Sequence, residues 1–122
     1  MYQEKLINTA SELVISKKGV LAADESSNTI KKRFDSIKVE STESKRRDYR
    51  EMLFSTEGIS ESISGVILYD ETIRQNASTG MPLVELLKKQ GVIAGIKVDK
   101  GLKPIPGSEE ESSTDGLDGL ED

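Results

Sequence analysis

The chain has 122 residues, 34% apolar and 32% charged, so its apolar residues must be concentrated in a few segments to build one domain-sized core. A net charge of −5 gives no support for nucleic-acid binding, which needs a clustered basic face. The absence of cysteine and histidine excludes a disulfide framework, a thiol nucleophile and the commonest zinc ligands, leaving Asp, Glu, Lys and Tyr for acid–base chemistry.

Residues 3–16 read as an amphipathic helix with Leu6, Ala10, Leu13 and Val14 near helical spacing, Lys17 and Lys18 at its end and Gly19 as a stop. Val20-Leu21-Ala22-Ala23 is apolar on both faces, as a buried parallel strand is, and Asp24-Glu25-Ser26 closes it. A helix is expected over 29–37, with Ile30, Phe34 and Ile37 on one side. Another opens near Ser41-Thr42-Glu43-Ser44, where either Ser41 or Thr42 suits the cap and Glu43 suits the positive end of the dipole.

The run 65–69, Gly-Val-Ile-Leu-Tyr, is a second strand closed by Asp70-Glu71-Thr72. A short helical stretch follows to about Ala77, and Pro82 begins a helix over 83–89 that Gly91 stops. Residues 92–98 form a third buried strand ending in Asp99-Lys100-Gly101. The remainder is polar, and 106–116 reads as a solvated, acidic, Ser/Thr-rich loop. No apolar stretch reaches the roughly 20 residues that span a membrane, and the N-terminus lacks a secretory pattern, so a cytoplasmic chain with no membrane partner is expected.

Three apolar strands, separated by helices and each closed by polar residues, indicate parallel βα units and an α/β fold. Both a doubly wound sheet and a TIM barrel place functional groups at the C-terminal ends of strands, where Asp24, Glu71 and Lys97 fall. No G-x-G-x-x-G follows a strand, so dinucleotide binding has no support. A TIM barrel needs eight βα units. Residues 1–122 therefore read as an incomplete N-terminal portion holding about the first three, with open strand edges.

The run 18–26, Lys-Gly-Val-Leu-Ala-Ala-Asp-Glu-Ser, resembles the first-strand motif of class I, Schiff-base-forming fructose-bisphosphate aldolases. The resemblance continues in order through Lys32-Arg33-Phe34, Arg46-Arg47, the run 65–72, Gly-Ile-Lys-Val-Asp-Lys-Gly over 95–101, and Thr-Asp-Gly-Leu-Asp-Gly-Leu over 114–120. It implies a TIM barrel and reversible aldol cleavage of fructose 1,6-bisphosphate to glycerone phosphate and glyceraldehyde 3-phosphate, a lyase step of glycolysis and gluconeogenesis. The reaction runs through a lysine Schiff base, with neither cofactor nor metal. The partner implied is a phosphorylated sugar; a homo-oligomer at full length stays open.

By that resemblance Asp24 bonds a substrate hydroxyl and orients the imine, Lys97 adds positive charge, and Ser26, Thr29 and Arg33 lie near a substrate phosphate. Thr29 stands where animal-type members carry a serine in Thr-Gly-Ser; here the run is Ser27-Asn28-Thr29. The Schiff-base lysine belongs to downstream strands of the family, and Lys97 matches a different position. Plainer readings stand beside these. Asp24 and Lys97 suit a structural ion pair, Ser26 suits a helix cap, Arg33 suits a solvated charge, and Glu71 suits a strand-end charge outside the site. The chain as a whole also fits an inactive truncated remnant or an assembly partner.

Overall fold

The computed structural model describes residues 1–120. Helix α1 (Tyr2–Leu13) is followed by strand β1 (Gly19–Ala23), then by helices α2 (Ser27–Ser36), α3 (Glu43–Phe54) and the single turn α4 (Ile59–Ser62). Strand β2 (Ile63–Leu68), the short α5 (Asp70–Ile73), α6 (Leu83–Lys89) and strand β3 (Ile93–Ile96) complete the main body. Strands β4 (Leu102–Pro104) and β5 (Ser112–Thr114) form a separate antiparallel pair.

The main sheet is parallel throughout with order β1-β2-β3, so each crossover returns the chain to the adjacent position. That sequential order fits the opening strands of a barrel and equally one half of a doubly wound sheet. The core gathers on the helical side. Phe54 of α3 and Leu83 and Leu87 of α6 cluster with Val66 and Leu68 of β2, all fully or nearly fully buried. Helix α2 buries Ile30 and Phe34 and meets α3 where the Phe34 ring stands edge-on to Tyr49 at 5.8 Å between centroids.

Three expectations need correction. The strands were expected to be buried on both faces, but only β2 is mostly buried; β1 and β3 are largely exposed, because they are the edges of the sheet. Gly19 is not the stop of α1: the helix ends at Leu13, Lys17 takes the left-handed turn at φ 69°, and Gly19 already begins β1. The segment 106–116 is exposed, as a solvated loop would be, yet Ser112–Thr114 pair with Leu102–Pro104 in a hairpin. Thr114 Oγ1 also donates to the Gly101 carbonyl at 2.8 Å, and the Lys100 N–H to the Asp115 carbonyl at 2.8 Å. These local bonds form a ladder that composition does not reveal.

Elsewhere the local chemistry reads through. Thr42 caps α3, its side chain accepting the Lys45 N–H at 3.3 Å. Pro82 immediately precedes α6, and Gly91 ends it in the left-handed region at φ 76°. Helix α1 buries none of its residues, and Leu6, Ile7 and Val14 are exposed.

Candidate active site

Asp24 is the first residue beyond β1 and Lys97 the first beyond β3. The Lys97 N–H donates to the Leu68 carbonyl at 2.8 Å, extending the parallel ladder by one bond and fixing where the lysine leaves the sheet. Since β2 lies between the two strands, neighbours about 4.8 Å apart, Asp24 and Lys97 meet only by reaching across its C-terminal end. They do: Lys97 Nζ stands 3.3 Å from Asp24 Oδ2 and 2.7 Å from Asp99 Oδ1.

Lys97 was expected to be buried. Its side chain keeps 25% exposure and that of Asp24 23%, so the pair sits at the rim of the sheet and not beneath it. The hydrogen bond to Asp99, and secondarily the one to Asp24, raise the Lys97 pKa above its ordinary 10.5 against the opposing effect of desolvation. In turn Lys97, with the Gly101 N–H, lowers that of Asp99. Lys97 is therefore a firmly held cation near neutral pH. An amine that attacks a carbonyl must first be neutral, and this one is held in the opposite state.

The phosphate-binding candidates fall on the turn after β1 and the helix it leads into. Ser26 is the N-cap of α2, with Oγ 3.4 Å from the Thr29 N–H and 3.1 Å from Thr29 Oγ1. Ser26, Thr29 and Arg33 follow one another at i, i+3 and i+7, so they share one side of the helix. The Arg33 guanidinium is engaged: Nη1 donates to Glu25 Oε1 at 2.7 Å, with the arginine side chain 60% exposed and the glutamate 7%.

A cavity of about 830 Å³ opens at the C-terminal ends of β2 and β3, its wall including Ser26, Tyr69, Asp70, Lys97 and Asp99. That volume suits a small organic ligand. Ser26 and Lys97 thus share one cavity, while Asp24, paired with Lys97, is not in its wall. Thr29 and Arg33 are not in its wall. Among the described residues no three Asp or Glu side chains are grouped to hold a metal ion, and no helix is long and apolar enough to cross a membrane.

A second charged group supports the first, and sequence reading missed it. Arg46 donates through Nε and Nη2 to the two oxygens of Glu71 at 2.8 and 2.7 Å, a bidentate pair that lowers the glutamate pKa. Arg50, fully buried, donates from Nη2 to the backbone carbonyl of Glu25 at 2.7 Å and lies over the Tyr69 ring at 5.9 Å. Burial lowers its pKa. A signal was present: Arg46, Arg50 and Phe54 are spaced by four, so the arginines stand on the same stripe as a core phenylalanine. Asp99 was likewise passed over, although it is two residues from Lys97 on the same exit.

Comparison with known proteins identifies the family. The profile for fructose-bisphosphate aldolase class-I matches residues 5–122. Over 117 residues the chain is 56% identical to fructose-bisphosphate aldolase 2 of Plasmodium berghei (strain Anka), covering 96% of this chain and 32% of that protein. It is 54% identical to the Drosophila melanogaster fructose-bisphosphate aldolase, covering 97% of this chain and 33% of that one. Fructose-bisphosphate aldolase 7, cytosolic, of Arabidopsis thaliana is 52% identical. Among solved structures, a ternary co-crystal structure of the Plasmodium falciparum aldolase, in complex with TRAP and a small molecule inhibitor, superimposes with a TM-score of 0.90 at 56% identity. It covers 96% of this chain and 34% of that one. The parallel strands are accordingly the first part of a TIM barrel, and the chain spans about a third of the length of the curated relatives it matches. With 118 of its residues inside the family profile, the chain belongs to the class-I fructose-bisphosphate aldolases.

Proposed function

We propose that residues 1–122 form the N-terminal part of a cytoplasmic enzyme that reversibly cleaves fructose 1,6-bisphosphate into glycerone phosphate and glyceraldehyde 3-phosphate through a lysine Schiff base. The observation that carries this reading is the Asp24–Lys97 contact across the end of β2, 3.3 Å long and completed by Asp99. Class-I chemistry needs an amine to form the imine, a carboxylate to orient the intermediate and fixed cations for an anionic sugar. The chain offers the last two. Asp24 accepts a hydrogen bond from a substrate hydroxyl while Lys97 holds it in place and adds positive charge to the cavity. Ser26 and Thr29 present hydroxyls, and Arg33 a guanidinium, to a phosphate group. The raised pKa of Lys97 fits an electrostatic role, and membership of the family implies an imine lysine on a later strand of the barrel.

The test is to express the entire reading frame that encodes this chain and assay cleavage of fructose 1,6-bisphosphate. The expected result is turnover in the parent, and loss of about 100-fold or more with either Asp24→Ala or Lys97→Met while circular dichroism stays unchanged. A folded product without cleavage, or a reading frame that stops at codon 122, would contradict the proposal and favour a remnant or an assembly partner.

A further inference from the structure

Arg33 is assigned to a substrate phosphate, yet its guanidinium is occupied by Glu25 at 2.7 Å. A phosphate that takes Arg33 must displace that carboxylate. A buried glutamate left without a cation is costly, so the position of Glu25 needs a second partner. The structure contains one. Glu25 Oε2 lies 3.7 Å from Arg50 Nη2, and among the described residues Glu25 Oε2, Arg50 Nε and Arg50 Nη1 are buried atoms that make no hydrogen bond. Glu71 Oε1 is 3.8 Å from Arg50 Nη1, too far for a hydrogen bond, and both Glu71 oxygens are already bonded to Arg46. Arg50 Nη2 carries two hydrogens and gives one to the Glu25 carbonyl, so a second is available to the unused Oε2 acceptor of the same residue. A shift of about 1 Å brings the 3.7 Å contact to the length of a charge-assisted hydrogen bond.

We infer that Glu25 and Arg50 are positioning residues for Arg33: Glu25 holds Arg33 before the sugar phosphate binds and moves onto Arg50 when it does. The inference rests on the phosphate role of Arg33 in the reading above. Arg50 is suited to receive the carboxylate because it is immobile. It is fully buried in α3, and its Nη2 already clamps the Glu25 backbone carbonyl at 2.7 Å, so the turn bearing Asp24 and Ser26 stays fixed while the carboxylate changes partner. Arg33, 60% exposed, is the partner free to swing. The exchange keeps every charge paired in both states, whereas a glutamate with Arg33 alone would compete with substrate at full strength.

The experiment measures KM and kcat for fructose 1,6-bisphosphate in the complete protein, with circular dichroism on each variant. Arg33→Ala raises KM. Glu25→Gln, which removes the competing charge, lowers KM about threefold, the size of an ion pair with one solvent-exposed partner, and has no effect on KM once Arg33→Ala is present. Arg50→Lys keeps the charge but offers fewer donors, leaves Glu25 on Arg33 and raises KM; adding Glu25→Gln reverses that rise. A structural role alone would move both kinetic constants and show no dependence on Arg33. A raised KM for Arg33→Ala, with Glu25→Gln neutral or harmful in a folded protein, overturns the exchange and leaves the functional reading intact. If Glu25→Gln fails to fold, an unchanged KM in Arg50→Lys overturns it instead. An unchanged KM for Arg33→Ala removes the phosphate role and the exchange together, and a parent protein without cleavage overturns the reading beneath both.

Discussion

The exits of β1 and β2 and the exit of β3 are both crowded with charge, yet they are held in opposite ways. At β1 and β2 the fixing group is a buried arginine on α3 whose donors reach the Glu25 carbonyl and the neighbourhood of Glu71. At β3 the fixing groups are local and exposed. Asp99, with a side chain 42% exposed, bonds Lys97 and the Gly101 N–H, and the β4–β5 hairpin backs the loop from outside. A Cβ at Gly116 would run into the Val98 carbonyl, so the segment leaving the hairpin lies directly on the backbone beside Asp99. The first exit depends on the core and the second on turns. Damage to the first should therefore appear in stability, and damage to the second in the placement of Lys97.

The largest expected effect is on turnover. In the complete protein Lys97→Met, which keeps the length of the side chain without its charge, should lower kcat about 100-fold or more with little change in melting temperature. Next comes Arg50→Met, which removes the buried donor of the Glu25 carbonyl and leaves Glu25 with Arg33 alone. It should lower unfolding free energy by about 2 kcal/mol in a urea titration, because a buried carbonyl loses its charged donor. Equal stability losses from the two substitutions would break the contrast between the exits.

A smaller effect follows from Glu71. Its pKa is held below the ordinary 4.5, chiefly by Arg46, so this pair adds stability that is fully present above pH 4.5 and lost as pH falls through the lower folded value. Urea titrations at pH 7 and pH 3.5 should show that loss, and Glu71→Gln should shrink it. Asp99 carries the same sign from an ordinary value of 3.8, but its exposure makes its share minor. The smallest effect belongs to the hairpin turn, where Glu110→Gln should stay within about 0.5 kcal/mol of the parent.

How far the sequence is legible divides along the same line. The strands, the Thr42 cap and the limits of α6 follow from local chemistry, so apolar runs and turn residues reveal them. Asp24 and Lys97 are legible because each is the first polar residue after an apolar strand, and such a place is occupied by function more often than by chance. The Arg50 role is not legible to a reader who assigns charged residues to the surface. Its burial depends on Glu25 and Glu71, which lie 25 and 21 positions away in the chain and come near only after the strands pair. The hairpin is hidden for a different reason: Ser, Thr and Glu have no strand pattern there, and backbone bonds to 100–104 make the ladder. The exposed faces of β1 and β3 could not be foreseen from apolar runs, which look alike in a central strand and an edge.

On the proposed reading Lys97 is a fixed cation and not the lysine that forms the imine. Borohydride reduction of the complete protein in the presence of fructose 1,6-bisphosphate, followed by peptide mapping, tests it directly. The expected result is a reduced adduct on a lysine outside residues 1–122 and an unmodified Lys97. An adduct on Lys97 would contradict it.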